Sequence, residues 1–457
     1  MTEAPDTESS SNGSSRSTTP NSTSTYQYSH EPFETFREKV EALARDIKSK
    51  SLDNIIRIPG GSFNRIIAAD LHSYDTAPAI QKVVLRIPRF VRDEDLPYKD
   101  VLNQFSILEA IAKFGIQIPR VLAYDCTSSN ALGMPFSLQT RLEGQRLDFV
   151  YGDMTLSERL GTASELVRTL AAMENMKFQS PGRLGSFGAA SNRKNIDEVD
   201  DSSASDILQV QGFGVGVGSF RSKTTDSTPT SLQELLSMQL DGWLQRELSN
   251  NHKSFVADMF KRLKDIQIEM NELGFFEDRA SLNSNILYHW DLEPRNIIVE
   301  RKSTVASSDV SVTHHIQIKG VLDWDDALSV PPVLARKPPV WLWDFSDDET
   351  LPSSVLAHYD GDFDILPAEL YNEAGDRLSE EDLQVKKFFE SEIVEKLYGH
   401  SSPASREAYF DDAYGRGRWL RRLWRFALDG FSDSQHIDRF HEFDRAWSEY
   451  RETRSQL

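Results

Sequence analysis

Two apolar, β-branched runs, Asn296 to Val299 and Ile316 to Leu322, flank KSTVASSDVSVTHH, which reads as a polar, Ser/Thr-rich loop. Their length and composition are those of strands. Paired as an antiparallel hairpin, they set the start of the first opposite the end of the second, so Asn296 and Asp323 arrive side by side. Upstream, LYHWDLEPRNIIVE spaces His289, Asp291 and Asn296 as His-x-Asp-x-x-x-x-Asn, and Asp323-Trp324-Asp325 supplies a second carboxylate pair. One amide oxygen and one carboxylate facing a common point suit Mg²⁺, which prefers oxygen ligands and is usually held by one or two carboxylates plus substrate phosphates. Asp291 sits on the loop leading into the hairpin. A carboxylate beside an attacking hydroxyl, with hard ligands for magnesium, is what phosphoryl transfer asks of a protein. Taken singly, each motif also fits a polar loop or a capped strand end; the metal geometry needs both at once. His289 is expected to brace the loop by hydrogen bonding rather than to do chemistry.

HWDLEPRN followed by VLDWDDA resembles the catalytic loop and metal-binding Asp of the aminoglycoside phosphotransferase family, part of the protein-kinase-like fold. The Pro-rich, Trp-containing PPVLARKPPVWLW is similar to the stretch after the second motif in divergent fungal members. The resemblance implies that Asp291 is the catalytic base, that Asn296 and Asp323 hold Mg²⁺, and that ATP is the donor.

The rest of a nucleotide site is sought upstream. IIRIPGGSFNRIIAAD has two strand-like runs around Gly60-Gly61-Ser62. A turn of this kind brings bare amides close to a phosphate, although Gly-Gly between strands is also an ordinary hairpin turn. On the next strand, Gln81 to Ile87, alternation puts Val83, Leu85 and Ile87 on one face and Lys82, Val84 and Arg86 on the other. Arg86 stands where the resemblance expects a phosphate-binding Lys, and as a bidentate fork it could reach the α- and β-phosphates; a solvated strand charge is the alternative. The next helix, roughly Lys99 to Lys113, carries Asn103 and Gln104 about where the family places a partnering Glu, with Asp100 and Glu109 the nearest carboxylates. Farther on, Phe136 to Gln139 resembles the last strand before the hinge, with Gly144 ending the connector. The backbone of Thr140 and Leu142 would then meet the adenine edge.

Other chemistries lack a starting point. QGFGVGVGSF (211–220) is Gly-rich with the wrong spacing for a phosphate cradle and reads as flexible; there is no Gly-x-x-x-x-Gly-Lys-Ser/Thr, no completed His-Glu-x-x-His and no Gly-x-Ser-x-Gly. A protein kinase fits poorly, because Glu293 stands where Ser/Thr kinases place a Lys and no Ala-Pro-Glu comes after the second motif. The formal charge of −20 makes nucleic acid or an anionic membrane an improbable partner and is compatible with a cationic acceptor. Acidic residues gather at Asp325, Asp326, Asp344, Asp347, Asp348 and Glu349, which fits attraction of an amine-bearing alcohol or simply a solvated acidic surface. Cys126 is the only cysteine, no apolar run is long enough to span a bilayer, and the acidic start MTEAPDTESS is unlike a leader. A cytoplasmic protein is the expectation.

Along the chain, residues 1–30 read as a disordered tail. Residues 31–144 read as an amphipathic helix (Glu34 to Lys50) and a small nucleotide-binding lobe, and 145–457 as a helical catalytic and substrate lobe with a flexible insertion over 188–230. Capping boxes at Thr155 to Glu158 and Ser231 to Glu234 predict helix starts, and Ser379 to Tyr398 and Ala404 to Tyr450 read as largely helical. The ordering predicts a two-lobed α+β fold with a cleft at the junction. The function expected is ATP-dependent transfer of a phosphoryl group to a small-molecule hydroxyl. The alternative is a catalytically silent kinase-like binding protein, favoured by Arg86 and the missing Glu and opposed by intact Asp291, Asn296 and Asp323.

Overall fold

In the computed structural model, residues 31–47, 51–58, 64–73, 79–89, 99–186, 208–213, 229–249, 255–277, 284–305, 312–345, 378–399, 403–431 and 434–455 are described. The tail expected over 1–30, the Gly60-Gly61-Ser62 turn, most of 188–230, and Asp347, Asp348 and Glu349 lie outside them.

Helix α1 (Phe33–Asp46) starts the described chain. The helix is amphipathic as expected: Phe36, Val40 and Leu43, with Ile47 just past its end, are buried against a five-stranded antiparallel sheet. That sheet has the order β1-β2-β3-β5-β4, from β1 (Ser51–Ile58), β2 (Asn64–Ser73), β3 (Ala79–Pro88), β4 (Val121–Asp125) and β5 (Phe136–Thr140). Along β3, Val83, Leu85 and Ile87 are buried while Lys82 and Arg86 face the other way, as period-two alternation requires. Helix α2 (Lys99–Ala112) does not join this sheet's apolar core. Its Val101, Leu102 and Phe105 pack instead with Leu287, Val321 and Trp324, so the helix lies on the end of the predicted hairpin.

Next along the chain are the two-residue β6 (Gln145–Arg146) and α3 (Leu156–Asn175). Thr155 and Glu158 form the predicted capping box. At α4 (Leu232–Ser249) only half of the expected box is present. Ser231 Oγ accepts from the Glu234 amide at 3.2 Å, but the Glu234 carboxylate takes the N–H and hydroxyl of Thr230, both at 2.8 Å. Then come α5 (Phe255–Glu272), β10 (Asn285–Tyr288), the hairpin β11 (Ile297–Val305) and β12 (Val312–Val321), β13 (Leu328–Val330) and α6 (Pro332–Ala335). Four helices close the fold: α7 (Glu380–Tyr398), α8 (Pro403–Ala413), α9 (Arg416–Asp429) and α10 (Ser434–Ser455).

Two expectations are corrected. The stretch 302–315 is strand at both ends, with Lys302 paired to His315 and Val305 to Val312; its Val and Thr residues favour the ladder despite their polar neighbours. Within 188–230, Leu208–Gln211 is a strand, β9, paired to β8 (Gly182–Ser186). Leu208 and Val210 alternate with Gln209 and Gln211, and both apolar residues pack against the cluster around α2. With β7 (Lys177–Phe178), these strands complete a second sheet of order β7-β10-β13-β8-β9.

Candidate active site

The hairpin forms in the predicted register, with Ile297 opposite Val321. The Leu322 N–H donates to the Asn296 carbonyl at 2.7 Å, so the residue before Asp323 is bonded to Asn296 itself. Asp323 adopts φ 65°, ψ 53°, left-handed backbone that Asp tolerates better than most side chains. Trp324 is buried beneath it, its indole N–H donating to the Val321 carbonyl at 3.0 Å.

Asp291 reaches the same point from the other side. The Asn296 side-chain amide donates to Oδ2 of Asp291 and to its carbonyl, both at 2.9 Å. With its nitrogen so directed, the Asn296 side-chain oxygen faces away from Asp291. Arg295 donates to Oδ1 of Asp291 at 2.5 Å. His289 has the bracing role expected: Nε2 lies 2.8 Å from the Leu322 carbonyl and Nδ1 3.1 Å from the Asp291 amide. A carbonyl can only accept and an amide N–H only donate, which fixes the proton on Nε2. Burial lowers the His289 pKa and keeps the ring neutral, outweighing the Leu322 carbonyl and the nearby carboxylates. One ring thus ties the loop carrying Asp291 to the strand end that presents Asp323.

The Asp323 side chain is 49% exposed, yet crowding by protein, and then the neighbouring Asp325 carboxylate, raise its pKa above the ordinary carboxylate range despite Arg86 and His289. A divalent cation beside it would offset the Asp325 charge and favour the ionised form. The free amide oxygen of Asn296 and the crowded carboxylate of Asp323 are both hard donors, so the residues fit magnesium by their chemistry. Among the described residues no cluster of three His, Cys, Asp or Glu side chains could hold a metal. A two-ligand site completed by substrate phosphates needs no such cluster.

Arg86 comes to this point from β3. It lies 2.9 Å from Asp325 and 3.5 Å from Asp323. Its near carboxylate partner is Asp325, 239 positions away in sequence. Gln104, at the helix position where Glu was sought, donates to the same Asp325 at 2.6 Å. Asn103 is engaged elsewhere, accepting from the Ser186 amide at 2.8 Å. No spacing rule could have announced the Asp325 pairing; the one available signal was an amide at the helix position coupled with a spare acid after Asp323.

At the connector, the Thr140 N–H is used by the Arg120 carbonyl at 2.9 Å, and its hydroxyl accepts the Arg120 amide at 2.9 Å, so Thr140 offers no backbone donor to a ligand. Arg141 donates to the Lys82 carbonyl at 2.9 Å, which anchors the connector on β3 before Leu142. Gly144, at φ 124°, passes so close to the Val299 carbonyl that a Cβ would collide with it. The acidic patch is also not a free field: Asp325 is held by Arg86 and Gln104, and Asp326 lies 3.4 Å from Arg183.

Behind the loop carrying Asp291 lies a cavity of about 50 Å³, walled by Tyr288, Trp290, Glu293, Lys337 and Trp341 among others. Arg425 of α9 stacks on Trp290 at 4.6 Å. Lys337 is 3.8 Å from Glu293, the residue standing where protein kinases carry a Lys.

A family model described as the phosphotransferase enzyme family matches residues 71–334, more than half of the 457-residue chain. The chain belongs to this phosphotransferase family. The matched span runs from β2 to α6 and contains Arg86, Asp291, Asn296 and Asp323. Solved structures resembling this phosphotransferase include ADP-bound aminoglycoside phosphotransferase APH(2'')-Ib, at 12% identity and TM-score 0.43, covering 90% of this chain and 97% of that one. The streptomycin–ATP–APH(2'')-IIa ternary complex matches at 11% identity and TM-score 0.43, covering 90% and 97%. A microcompartment-associated aminopropanol kinase matches at 14% identity and TM-score 0.34, covering 86% and 91%. No curated protein matches the sequence. The described chain has the α+β arrangement that the motifs implied, with a β-sheet first and helices after. No described helix is long and apolar enough to cross a membrane.

Proposed function

We propose that this phosphotransferase moves the γ-phosphoryl group of ATP to a hydroxyl of a small molecule, with Mg²⁺. One observation carries the reading: Asp291 and the residue preceding Asp323 are both bonded to Asn296, at 2.9 Å and 2.7 Å, so a candidate base and two candidate metal ligands share one residue. In this reading Asp291 accepts or orients the proton of the acceptor hydroxyl, held by the Asn296 amide. His289 keeps the loop in place from below. Magnesium, when bound to Asn296 and Asp323, would neutralise charge on the phosphate oxygens. Arg86 is the phosphate-facing cation of β3, and the Gly60-Gly61-Ser62 turn is assigned to the phosphates on sequence grounds alone. The adenine donor is assigned to the Leu142 amide, since the Thr140 amide is already committed to Arg120. We place the division between the lobes at the connector ending in Gly144.

The acceptor is read as an alcohol that carries a positive charge. Support comes from the net charge of −20, which attracts cations.

Asp291→Asn tests the base assignment. Turnover should fall by about 10²–10⁴-fold, the usual contribution of a positioned base, with ATP affinity nearly unchanged. ATP consumption across pooled amino alcohols, followed by mass spectrometry of the product, provides the assay. An Asp291→Asn protein as fast as the parent overturns the assignment.

A further inference from the structure

The contacts around Arg86 rest on more than one residue. Asp325 uses both carboxylate oxygens. Oδ2 accepts from Arg86 at 2.9 Å and from the Asn64 side-chain amide at 3.3 Å, and Oδ1 accepts from Gln104 at 2.6 Å. A single side chain of the second lobe thus grips β2, β3 and α2 of the first, two positions after Asp323. Gln104 is itself fixed. Its amide oxygen accepts from Ser137 Oγ at 2.8 Å and Gln139 Nε2 at 3.0 Å, both on β5, and all three of these side chains are buried. With the oxygen committed to two donors, the nitrogen must face Asp325. A Glu at position 104 would set a carboxylate against a carboxylate 2.6 Å away in a largely buried place, a costly arrangement.

Gln104 is therefore no degraded version of a helix Glu. It is the residue type required once the acid has moved elsewhere.

We propose that Asp325 is the positioning partner of Arg86, taking the part that an acid on α2 would otherwise play, with Gln104 steering Asp325. Arg86 has two carboxylates within reach, Asp325 at 2.9 Å and Asp323 at 3.5 Å. By holding the guanidinium, Asp325 keeps Arg86 facing the cleft and stops it from closing fully onto Asp323, whose oxygens stay available to a cation. Asp325 then acts through Arg86 and Asp323 and touches neither donor nor acceptor. The inference rests on the phosphotransferase reading above and adds a residue to it.

The test is an acid transplant. Asp325→Asn, Gln104→Glu and the double variant carrying both are compared with the parent, and Asp325→Glu serves as the conservative rescue. The affinity for Mg·ATP, and the Mg²⁺ concentration giving half of the maximal ATP binding, are read by calorimetry. Melting midpoints of all five proteins without ligand give the coupling between positions 104 and 325 independently of any nucleotide. Each of the two single changes is expected to weaken Mg·ATP binding by about 10–100-fold, as loss of outer-shell partners of a metal site does, and to raise the Mg²⁺ requirement, with kcat at saturating Mg·ATP affected less than KM. The double variant, which returns the acid to the helix, should bind Mg·ATP more tightly than either single variant, and its midpoint should exceed the sum of the single effects.

Single variants that bind like the parent overturn the positioning role alone. So does a double variant whose losses simply add, because no pairing then exists to be restored. If Asp325→Asn does not fold, Gln104→Glu decides: a parent-like Mg²⁺ requirement in it overturns the role. A parent that binds no Mg·ATP overturns the phosphotransferase reading and the positioning role with it.

Discussion

On the hairpin side of the cleft, Asn296 and Asp323 are placed chiefly by main-chain hydrogen bonds: the β11–β12 ladder, the Leu322 amide on the Asn296 carbonyl, and His289 linking two backbone atoms. On the sheet side, Arg86 is placed by side chains from both lobes, Asp325 and Asp323 below it, with Gln104 holding Asp325 from α2. Main-chain bonds survive most substitutions, because every residue but Pro brings the same donor and acceptor. Side-chain bonds do not. The catalytic end should therefore be rigid and intolerant only at the reacting groups themselves, whereas the nucleotide-facing end can exchange its acid between helix and loop as long as one is present.

That contrast can be broken by mutation. Asn296→Ala removes the amide that holds Asp291 and a candidate metal ligand at once, and should lower kcat by about 10²–10³-fold, the usual effect of removing one preorganised electrostatic group. ADP release in a coupled assay measures it. Arg86→Lys keeps the charge but replaces the planar guanidinium whose Nη2 meets both Asp325 and Asp323, and should raise KM for ATP about tenfold with a smaller change in kcat. If Arg86→Lys proves the more damaging of the two, the sheet side is the more demanding one and the contrast is reversed.

Stability sharpens the same contrast. Gly144→Ala forces a Cβ onto the Val299 carbonyl at φ 124°, and should destabilise the fold by about 1–3 kcal/mol, seen as a lowered urea midpoint with an unchanged slope. The smallest effect is expected far from the cleft. Burial alone would raise the Glu269 pKa, but the Trp447 indole N–H at 2.6 Å and Arg262 at 3.0 Å, with Arg451 behind, hold it below its ordinary value. A carboxylate depressed in the folded state stabilises fully above its unfolded pKa of 4.5 and loses that contribution as pH falls through the lower folded value. The melting midpoint should drop below pH 4.5, and less steeply in Glu269→Gln. An identical acid limb in both proteins would remove Glu269 from the explanation.

The hairpin register, the β3 alternation and the Thr155 cap were legible because each depends on neighbours in sequence, through period, turn or capping geometry. The Leu322–Asn296 contact came from register alone. Asp325 was not legible as Arg86's partner, since nothing local ties positions 239 residues apart, and a helix acid was sought where Gln104 stands. Strand β9 was hidden among polar, Gly/Ser-rich neighbours although its own four residues alternate. The apparent acidic field at Asp325 and Asp326 dissolved for a related reason: both carboxylates meet arginines, Arg86 and Arg183, that the sequence does not place nearby.

ATP binding to the parent and to Asp323→Asn, measured by titration calorimetry over a series of Mg²⁺ concentrations, bears most directly on whether the two ends of the hairpin share a divalent ion. The parent should bind more tightly as Mg²⁺ rises, and Asp323→Asn should respond weakly or not at all. Equal Mg²⁺ dependence in the two proteins would contradict the shared site.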